Sequence, residues 1–277
     1  DFRLIFDRIN AQKYQKLLFD FNPDLIFATH FIPANMATFW RTKYQKRYKV
    51  ALTVTDYEAH SLWVDKQVDR CYVANEEVKN HFAKLGAKAQ KFFPLGIPID
   101  EKYTKGLNQS KIRQGLKIKN RFTILITSGG LGMGPIPSII KKLDSLSANI
   151  NILVMAGKND ELFQEVTELI PKTKHKLILF RFIDNDEELM AASDVIVGKP
   201  GGLTVSEALT IGRPIVIINP IPGQEIANAN FLTRNLAGLK AEDEDELVTI
   251  IEHLNKDKEI ISQLQKNSVR ISRPNST

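Results

Sequence analysis

Cysteine is almost absent from the 277-residue sequence, and long hydrophobic runs are missing altogether. The single cysteine, Cys71, excludes an intramolecular disulfide and any metal site built from several cysteines, which fits a reducing compartment. Cys71 lies in the apolar run CysTyrValAla, where we predict a buried strand residue. Because no run of 18 or more apolar residues occurs, no segment is predicted to span a bilayer.

Other familiar signals are missing as well. The sequence shows neither an initiator methionine nor a signal-peptide pattern, and Asp1 lies within a helical pattern, so we expect a further N-terminal segment before it. No motif of a nucleic-acid-binding module is found, which makes nucleic acid an improbable partner. Residues 184–186 match an Asp-x-Asp metal motif by their letters alone, and we predict neither a metal nor a cofactor.

The net charge of +6 is concentrated in the first part of the chain. Residues 1–105 hold 17 Lys and Arg against 12 Asp and Glu, whereas residues 106–277 hold 21 against 20. The excess is densest after the run FIPANMATFW, at Arg41, Lys43, Lys46, Arg47 and Lys49. Cations beside exposed aromatic rings favour an anionic membrane surface, each contributing about 1 kcal/mol. The alternative is a solvated basic helix end that leads into a core strand.

Strand and helix patterns alternate along the whole chain, which predicts parallel sheets in an α/β protein. The length suits two domains. Residues 98–107 contain Pro98, Gly106 and several charges, and we predict a linker there. The predicted domains are therefore 1–105 and 106–277.

The stretch 195–236 is the predicted centre of the molecule. A short β-branched run feeds a helix through Gly201 and Gly202, and such a helix start offers unpaired N–H groups to an anion such as phosphate. A second strand and turn bring Gln224, Glu225 and Asn228 to the same edge of the sheet, where ligands of open α/β sheets bind. These polar side chains suggest a sugar or ribose site.

Two structural alternatives stay open for these residues. Thr204 and Glu207 have the spacing of a capping box, in which Glu207 would only satisfy the helix start. Gln224 and Glu225 could equally be solvated residues in the first turn of the next helix.

The run KPGGLTVSEA followed by PGQEIANA resembles the donor-site signature of glycosyltransferase family 28, in the branch that moves a sugar from UDP-glucose or UDP-galactose onto diacylglycerol. The runs T-D-Y-x-x-H-x-x-W, VDRCYVANEEVK and PLGIPID are similar to that branch too, and together cover most of residues 50–100. The resemblance implies a GT-B fold, with two Rossmann-like domains across a cleft. It also implies that Glu207 holds the ribose hydroxyls, while Gln224, Glu225 and Asn228 bind the donor sugar.

The resemblance assigns further nucleotide-sugar ligands in the second domain. It places the diphosphate at the turn GGLGMG, for which a tight strand-to-helix connection is the alternative, and the uracil at a Phe-Ile pair whose Phe could instead pack in the core. Lys199 would neutralise phosphate or lie at the surface. The candidates are Ser128, Gly129, Gly130, Gly132, Phe182, Ile183, Lys199, Gly201, Gly202 and Thr204.

The resemblance also implies a transfer that inverts the configuration at the anomeric carbon of the sugar. Such a transfer requires a general base near the acceptor hydroxyl. The family usually has a histidine in a glycine-rich loop for this purpose, and that loop is not found here. The base is therefore expected in a preceding segment, or is Asp56 or His60 of the T-D-Y-x-x-H-x-x-W run. The alternative is that Asp56 caps the next turn and His60 is a surface histidine.

The resemblance implies a cytoplasmic transferase, peripheral on the inner face of the cell membrane, that makes glycolipid from a UDP-sugar and diacylglycerol. The choice between glucose and galactose is left open. Rival hypotheses are the N-acetylglucosaminyltransferase of lipid II synthesis, a UDP-N-acetylglucosamine 2-epimerase, and a catalytically silent UDP-sugar sensor.

Overall fold

The computed structural model describes residues 11–58, 60–127, 129 and 134–276. The chain divides into two compact units. One extends to Pro98 and takes in Ser276, and the other runs from Ile99 to Asn275. Each unit contains a sheet whose strand pairs are all parallel, which confirms the α/β class predicted from the alternating pattern.

The first unit is a four-stranded sheet in the order β1-β2-β3-β4. Its elements are α1 (Gln12–Phe21), β1 (Leu25–Ala28), α2 (Phe31–Lys43), β2 (Lys49–Thr53), β3 (Arg70–Tyr72), α3 (Glu76–Lys84) and β4 (Phe92–Phe93). Short 3₁₀ helices occupy Ser61–Trp63 and Ala89–Lys91. Strands and helices alternate along this unit, as the sequence pattern predicts.

The core of the first unit lies on one face of its sheet. Trp40 of α2 and Cys71 of β3 are each only 3% exposed, and burial raises the pKa of the Cys71 thiol to about 12. The burial predicted for Cys71 is thus confirmed. On the other face Leu25 and Phe27 are more than half exposed, and the ring of Phe27 stacks on Tyr72 at 5.8 Å.

The second unit is a six-stranded sheet in the order β10-β9-β8-β5-β6-β7. Its helices are α4 (Gln109–Gly115), α5 (Ile136–Leu143), α6 (Asp160–Leu169), α7 (Asp186–Ala192), α8 (Gly202–Ile211), α9 (Gln224–Arg234), α10 (Glu244–Lys256) and α11 (Lys258–Ile271). Its strands are β5 (Thr123–Thr127), β6 (Asn151–Met155), β7 (Lys176–Phe180), β8 (Val195–Gly198), β9 (Ile215–Ile217) and β10 (Gly238–Lys240). A 3₁₀ helix, Glu101–Thr104, precedes α4.

The order of these strands places a switch point beside β5. The chain proceeds from β5 through β6 to β7 on one side, then returns to pair β8 against β5 on the other side. All five residues of β5 are buried, as expected for a central strand covered on both faces. Open sheets bind their ligands at the carboxyl ends of strands at such a switch point.

Close contact between β5 and β8 depends on a glycine. A Cβ atom on Gly198 would lie 2.3 Å from the carbonyl oxygen of Thr127, so no side chain fits there. At the opposite end of the same strands, the buried guanidinium of Arg113 donates to Asp194 at 2.8 Å, and also to Asn120 and to the carbonyl of Ala192. This ion pair ties α4 to the segment between α7 and β8.

None of the helices in the described ranges has the length and apolar character needed to cross a membrane.

Candidate functional site

A cavity of about 330 Å³ opens at the carboxyl ends of the strands around the switch point of the second unit. It brings together several residues predicted from the sequence, namely Gly129, Phe182, Ile183, Thr204 and Glu207. The rest of its lining consists of Thr127, Met155, Gly157, Arg181, Asp186, Met190 and Leu203. The expected ligand edge of the sheet therefore contains a pocket.

Glu207 lies within α8 and reaches the cavity as a partly buried carboxyl group. Burial raises the pKa of Glu207 to about 7, and the negative charge of Asp186 adds to this rise. A hydrogen bond with Tyr103 and the charge of Lys102 act in the opposite direction. A carboxyl group with such a pKa changes its charge near neutral pH.

The capping-box alternative for Glu207 is wrong. Helix α8 begins at Gly202 with Gly201 as its N-cap, so Thr204 lies in the first turn rather than at the cap. Glu207 is therefore one turn further into the helix than a capping box requires. The side chain of Glu207 therefore does not cap the helix, and it lines the cavity instead.

Two residues that the sequence analysis did not single out engage the carboxyl groups at this site. The hydroxyl of Tyr103 donates to Asp186 at 2.8 Å, and Tyr103 is only 5% exposed. The ammonium group of Lys102 lies 2.7 Å from Asp186 and 3.3 Å from Glu187. Both belong to the 3₁₀ helix Glu101–Thr104, which lies within the predicted linker. In the sequence, the aromatic residue in this otherwise charged segment was the signal that could have pointed to a buried position.

The uracil candidates lie at the cavity rim, just after β7. Phe182 is 56% exposed, so the alternative of core packing is wrong. The ammonium group of Lys158 lies over the Phe182 ring, 5.2 Å from its centroid. Ile183 is half-buried and lines the same cavity. An exposed ring beside a partly apolar cavity is able to stack on a planar base.

Of the predicted glycine turn after β5, the structure describes Gly129 and Gly134. Ser128, Gly130 and Gly132 lie outside the described residues. Gly129 has a φ of +69°, a left-handed conformation that favours glycine, and it lines the cavity. Its N–H donates to the Thr127 hydroxyl at 3.3 Å.

The start of α8 has no side-chain cap, because Gly201 occupies the cap position and Gly202 the first turn. The first N–H groups of the helix therefore remain able to bind an anion. Lys199, two residues earlier, is half-buried and lines a separate small pocket together with Gly198 and Asn219.

The predicted sugar-binding trio at the start of α9 does not line the cavity. Gln224 is exposed, and the carboxylate of Glu225 accepts from the backbone N–H of Ile221 at 2.6 Å. Asn228 is fully buried, and its amide donates to the carbonyl of Pro200 at 3.0 Å. Glu225 thus organises the start of its own helix, while Asn228 holds the turn that precedes α8.

Asp56 and His60 belong to the first unit, whereas the residues that line the cavity belong to the second. Asp56 is buried, with 9% of its surface exposed. His60 is exposed, and its Nδ1 accepts from the N–H of Leu62 at 3.2 Å, so it caps the 3₁₀ helix Ser61–Trp63. A second exposed histidine, His30, lies 5.7 Å from the Trp63 ring and was not singled out from the sequence.

Comparison with known proteins covers both units. Residues 2–99 match the family model of monogalactosyldiacylglycerol (MGDG) synthase. Residues 123–273 match that of the glycosyltransferase family 28 C-terminal domain. A processive diacylglycerol beta-glucosyltransferase of Bacillus cereus (strain AH187) is 30% identical over 223 residues, which are 80% of this chain and 57% of the relative. The chain thus spans a little over half the length of this relative.

Solved structures show the same fold at lower identity. MurG from Acinetobacter baumannii is 16% identical with a TM-score of 0.68, over 98% of this chain and 75% of that one. Anabaena Alr3699/HepE in complex with UDP-glucose is 17% identical with a TM-score of 0.64, over 94% of this chain and 77% of that one. These similarities confirm the predicted GT-B fold class.

The two family matches follow one another along the chain, one in each unit. The second match alone covers more than half of the sequence. The protein therefore belongs to glycosyltransferase family 28, and its first unit is similar to monogalactosyldiacylglycerol synthase.

Proposed function

We propose that the protein is an inverting glycosyltransferase that moves glucose or galactose from a UDP-sugar to diacylglycerol. One observation carries this proposal: in a family 28 domain, the exposed ring of Phe182 and the carboxyl group of Glu207 line one cavity at the switch point of the sheet. An aromatic ring and a carboxyl group are the partners that a uracil base and ribose hydroxyls need.

Donor binding follows from the chemistry of the cavity. Uracil stacks on Phe182 and meets the backbone of Ile183, while the ribose hydroxyls donate to Glu207. The diphosphate then lies toward Gly129 and the uncapped start of α8 at Gly201 and Gly202. Backbone N–H groups at a helix start suit phosphate oxygens in both charge and geometry.

The transfer itself is a single displacement. The acceptor hydroxyl attacks the anomeric carbon as the bond to UDP breaks, so the configuration inverts and negative charge grows on the diphosphate. N–H groups at the start of α8 would stabilise that charge in the transition state, and we propose that neither a metal ion nor a cofactor is needed. Within the described ranges, no three His, Cys, Asp or Glu side chains are grouped so as to hold a metal ion.

Proton removal from the acceptor is assigned to the first unit. Asp56 and His60 are the candidates there. The Nδ1 of His60 accepts from the N–H of Leu62, so the neutral ring carries its proton on Nε2, and the cap fixes the orientation of the ring. To take a proton from a hydroxyl group, His60 would have to release the Leu62 N–H and present Nδ1 to the acceptor.

The acceptor is a lipid, so the first unit must reach a membrane surface. Leu17 and Phe21 on α1 are 62% and 77% exposed, and Lys46 lies 4.5 Å from the centroid of the Phe19 ring. Lys43 lies over the Tyr44 ring at 5.1 Å. Exposed apolar side chains next to cations are the composition of a surface that binds anionic membranes. We therefore propose a cytoplasmic protein, peripheral on the inner face of the membrane.

Two members of the predicted basic cluster do not contribute to that surface. The guanidinium of Arg41 pairs with Asp69 and also donates to the carbonyl groups of Gln67 and Tyr48. Lys49 approaches the same carboxylate at 3.7 Å. The basic surface is therefore proposed to consist of Lys43, Lys46 and Arg47.

Release of UDP tests the proposed function. The protein is incubated with UDP-glucose, UDP-galactose or UDP-N-acetylglucosamine, and with vesicles that contain or lack diacylglycerol. We expect turnover with one of the two hexose donors only when diacylglycerol is present, and its loss in Glu207→Ala. The preferred donor then identifies the sugar, and turnover that survives EDTA supports the absence of a metal.

Two outcomes would overturn the proposal. Binding of UDP without turnover on diacylglycerol would favour a sensor. Turnover with UDP-N-acetylglucosamine and a lipid-linked peptidoglycan precursor, but not with diacylglycerol, would favour the lipid II type of transferase.

A further inference from the structure

The hydroxyl group of Tyr103 lies between two carboxyl groups of the donor cavity. It donates to Asp186 at 2.8 Å, and it is near enough to Glu207 to lower the pKa of that carboxyl group. Tyr103 is buried, and its ring is held by the 3₁₀ helix that Asp100 caps. The hydroxyl therefore contacts the family 28 residue expected to bind ribose.

A tyrosine hydroxyl has only one proton to donate. While Tyr103 donates to Asp186, its contact with Glu207 is favourable only if Glu207 carries a proton and donates it to the tyrosine oxygen. When Glu207 is ionised, the same hydroxyl must turn toward Glu207, and Asp186 then depends on Lys102, 2.7 Å away. The two hydrogen-bond arrangements thus correspond to the two charge states of Glu207.

The groups that act on Glu207 are few and come from two elements. Asp186 of α7 opposes its ionisation, while Lys102 and Tyr103 of the 3₁₀ helix favour it. Lys102 is shared with Glu187, which lies 3.3 Å away. The carboxyl groups of Asp186, Glu187 and Glu207 thus share the ammonium group of Lys102 and the hydroxyl of Tyr103. Burial raises the pKa of Tyr103, as do the neighbouring carboxyl groups, so the phenol keeps its proton throughout.

We propose that Lys102 and Tyr103 are positioning residues for donor binding, and that the Tyr103 hydroxyl turns from Asp186 to Glu207 as the ribose hydroxyls of the nucleotide engage that carboxylate. This inference rests on the proposed function, because it takes Glu207 as the ribose ligand. No bond is formed or broken apart from the proton that Glu207 gives up to solvent. The ammonium group of Lys102 still pairs with the carboxylate of Asp186 after the Tyr103 hydroxyl has turned away from it.

Calorimetric titration with UDP tests the proposal, since it reports both affinity and the protons released. Tyr103→Phe keeps the ring in place and removes only the hydroxyl, and Lys102→Met keeps the aliphatic stem. Each change removes a group that favours the ionised form of Glu207. We expect UDP binding to weaken about tenfold at pH 6.5, as one unit in the pKa of Glu207 would produce, and to approach the unaltered protein above pH 8.5.

Proton release gives a second readout that a merely structural role would not move. Titrations at pH 7 in buffers of different ionisation enthalpy measure how many protons leave on binding. This number should rise toward one in Tyr103→Phe, because more Glu207 carries a proton before UDP arrives. In steady-state kinetics the KM for the donor should rise at low pH, while kcat changes little.

The matched control is Lys105→Met, an exposed lysine two residues beyond Tyr103 that should leave affinity and proton release unchanged. The positioning role would be overturned if Tyr103→Phe weakened UDP binding by the same factor at every pH. It would also be overturned if Tyr103→Phe bound UDP as tightly as the unaltered protein at every pH. If Glu207→Gln itself leaves UDP affinity unchanged, the assignment of Glu207 under the proposed function fails instead. The two failures are thus distinguishable.

Discussion

The ammonium group of Lys158 lies 5.2 Å from the centre of the Phe182 ring, at the rim of the donor cavity. Stacking of a base on an aromatic side chain contributes about 1–3 kcal/mol. Phe182→Ala should therefore weaken UDP binding about 10- to 100-fold, whereas Phe182→Tyr should retain it. Calorimetric titration with UDP measures both variants.

The control for this change is another exposed apolar residue of the same unit. Leu236 is 61% exposed and lies after α9, so Leu236→Ala should bind UDP as the unaltered protein does. Equal affinities for Phe182→Ala and Leu236→Ala would show that the base does not stack on Phe182.

Glu207 should make the free energy of unfolding depend on pH. Its pKa is raised from 4.5 to about 7 in the folded protein, so the folded state binds more protons than the unfolded chain in that interval. The stability should therefore fall as the pH rises from about 4.5 to about 7, by at most about 3 kcal/mol from this group. Urea unfolding at several pH values measures the fall.

Glu207→Gln provides the comparison, because the amide does not titrate. The difference in unfolding free energy between Glu207→Gln and the unaltered protein should grow with pH and level off above pH 7. A constant difference across that interval would mean that the pKa of Glu207 is not raised.

The ion pair of Arg113 and Asp194 should contribute strongly to stability when one partner is removed. Arg113 is 6% exposed, so Arg113→Ala leaves a carboxylate without its cation in a partly buried place. We expect a loss of about 3–5 kcal/mol in the free energy of unfolding. The exposed pair of Lys142 and Asp245 is the matched control, and Lys142→Ala should cost less than about 1 kcal/mol.

Gly198 and Gly201 form a second matched pair. A methyl group on Gly198 would meet the backbone oxygen of Thr127 at 2.3 Å and push β8 away from β5, whereas one on Gly201 would only contact the Thr204 hydroxyl at 4.0 Å. Gly198→Ala should therefore lose roughly 1–3 kcal/mol or more of unfolding free energy, and Gly201→Ala much less. Similar urea midpoints for the two variants would contradict the close approach of the strands.

Membrane binding should depend on Lys43 and Lys46. Each cation near an anionic surface contributes about 1 kcal/mol, so Lys43→Gln with Lys46→Gln should lower vesicle affinity about 10- to 30-fold. Co-sedimentation with vesicles of phosphatidylglycerol measures this, and the loss should shrink at high salt. Lys84→Gln, an exposed lysine of α3, should leave vesicle binding unchanged; an equal loss there would indicate an unspecific charge effect.

Much of the fold could be predicted because each strand carries its own signal. Val195, Ile196 and Val197 form a short β-branched run that ends at Gly198, and such a pattern is typical of a strand. The location of Glu207 at the ligand edge follows from the same strand and turn. The pattern therefore predicted which edge of the sheet holds the cavity.

What the sequence could not predict depends on contacts between distant segments. Tyr103 lies in a charged segment with linker composition, yet it is buried and donates to Asp186, a residue 83 positions further along the chain. Likewise, the spacing of Thr204 and Glu207 fits a capping box, but the helix begins three residues earlier, with Gly201 at the cap position. Local spacing does not determine which of several candidates begins a helix.

The single cysteine has a practical consequence for spectroscopy. Cys71 is buried and its thiol has a pKa of about 12, so it stays protonated and shielded from maleimide reagents at neutral pH. A cysteine introduced on the surface, for example by Leu203→Cys at the half-exposed start of α8 beside the cavity, can therefore be labelled in the otherwise unaltered sequence. A fluorophore placed there would follow entry of the nucleotide in real time, without a cysteine-free background.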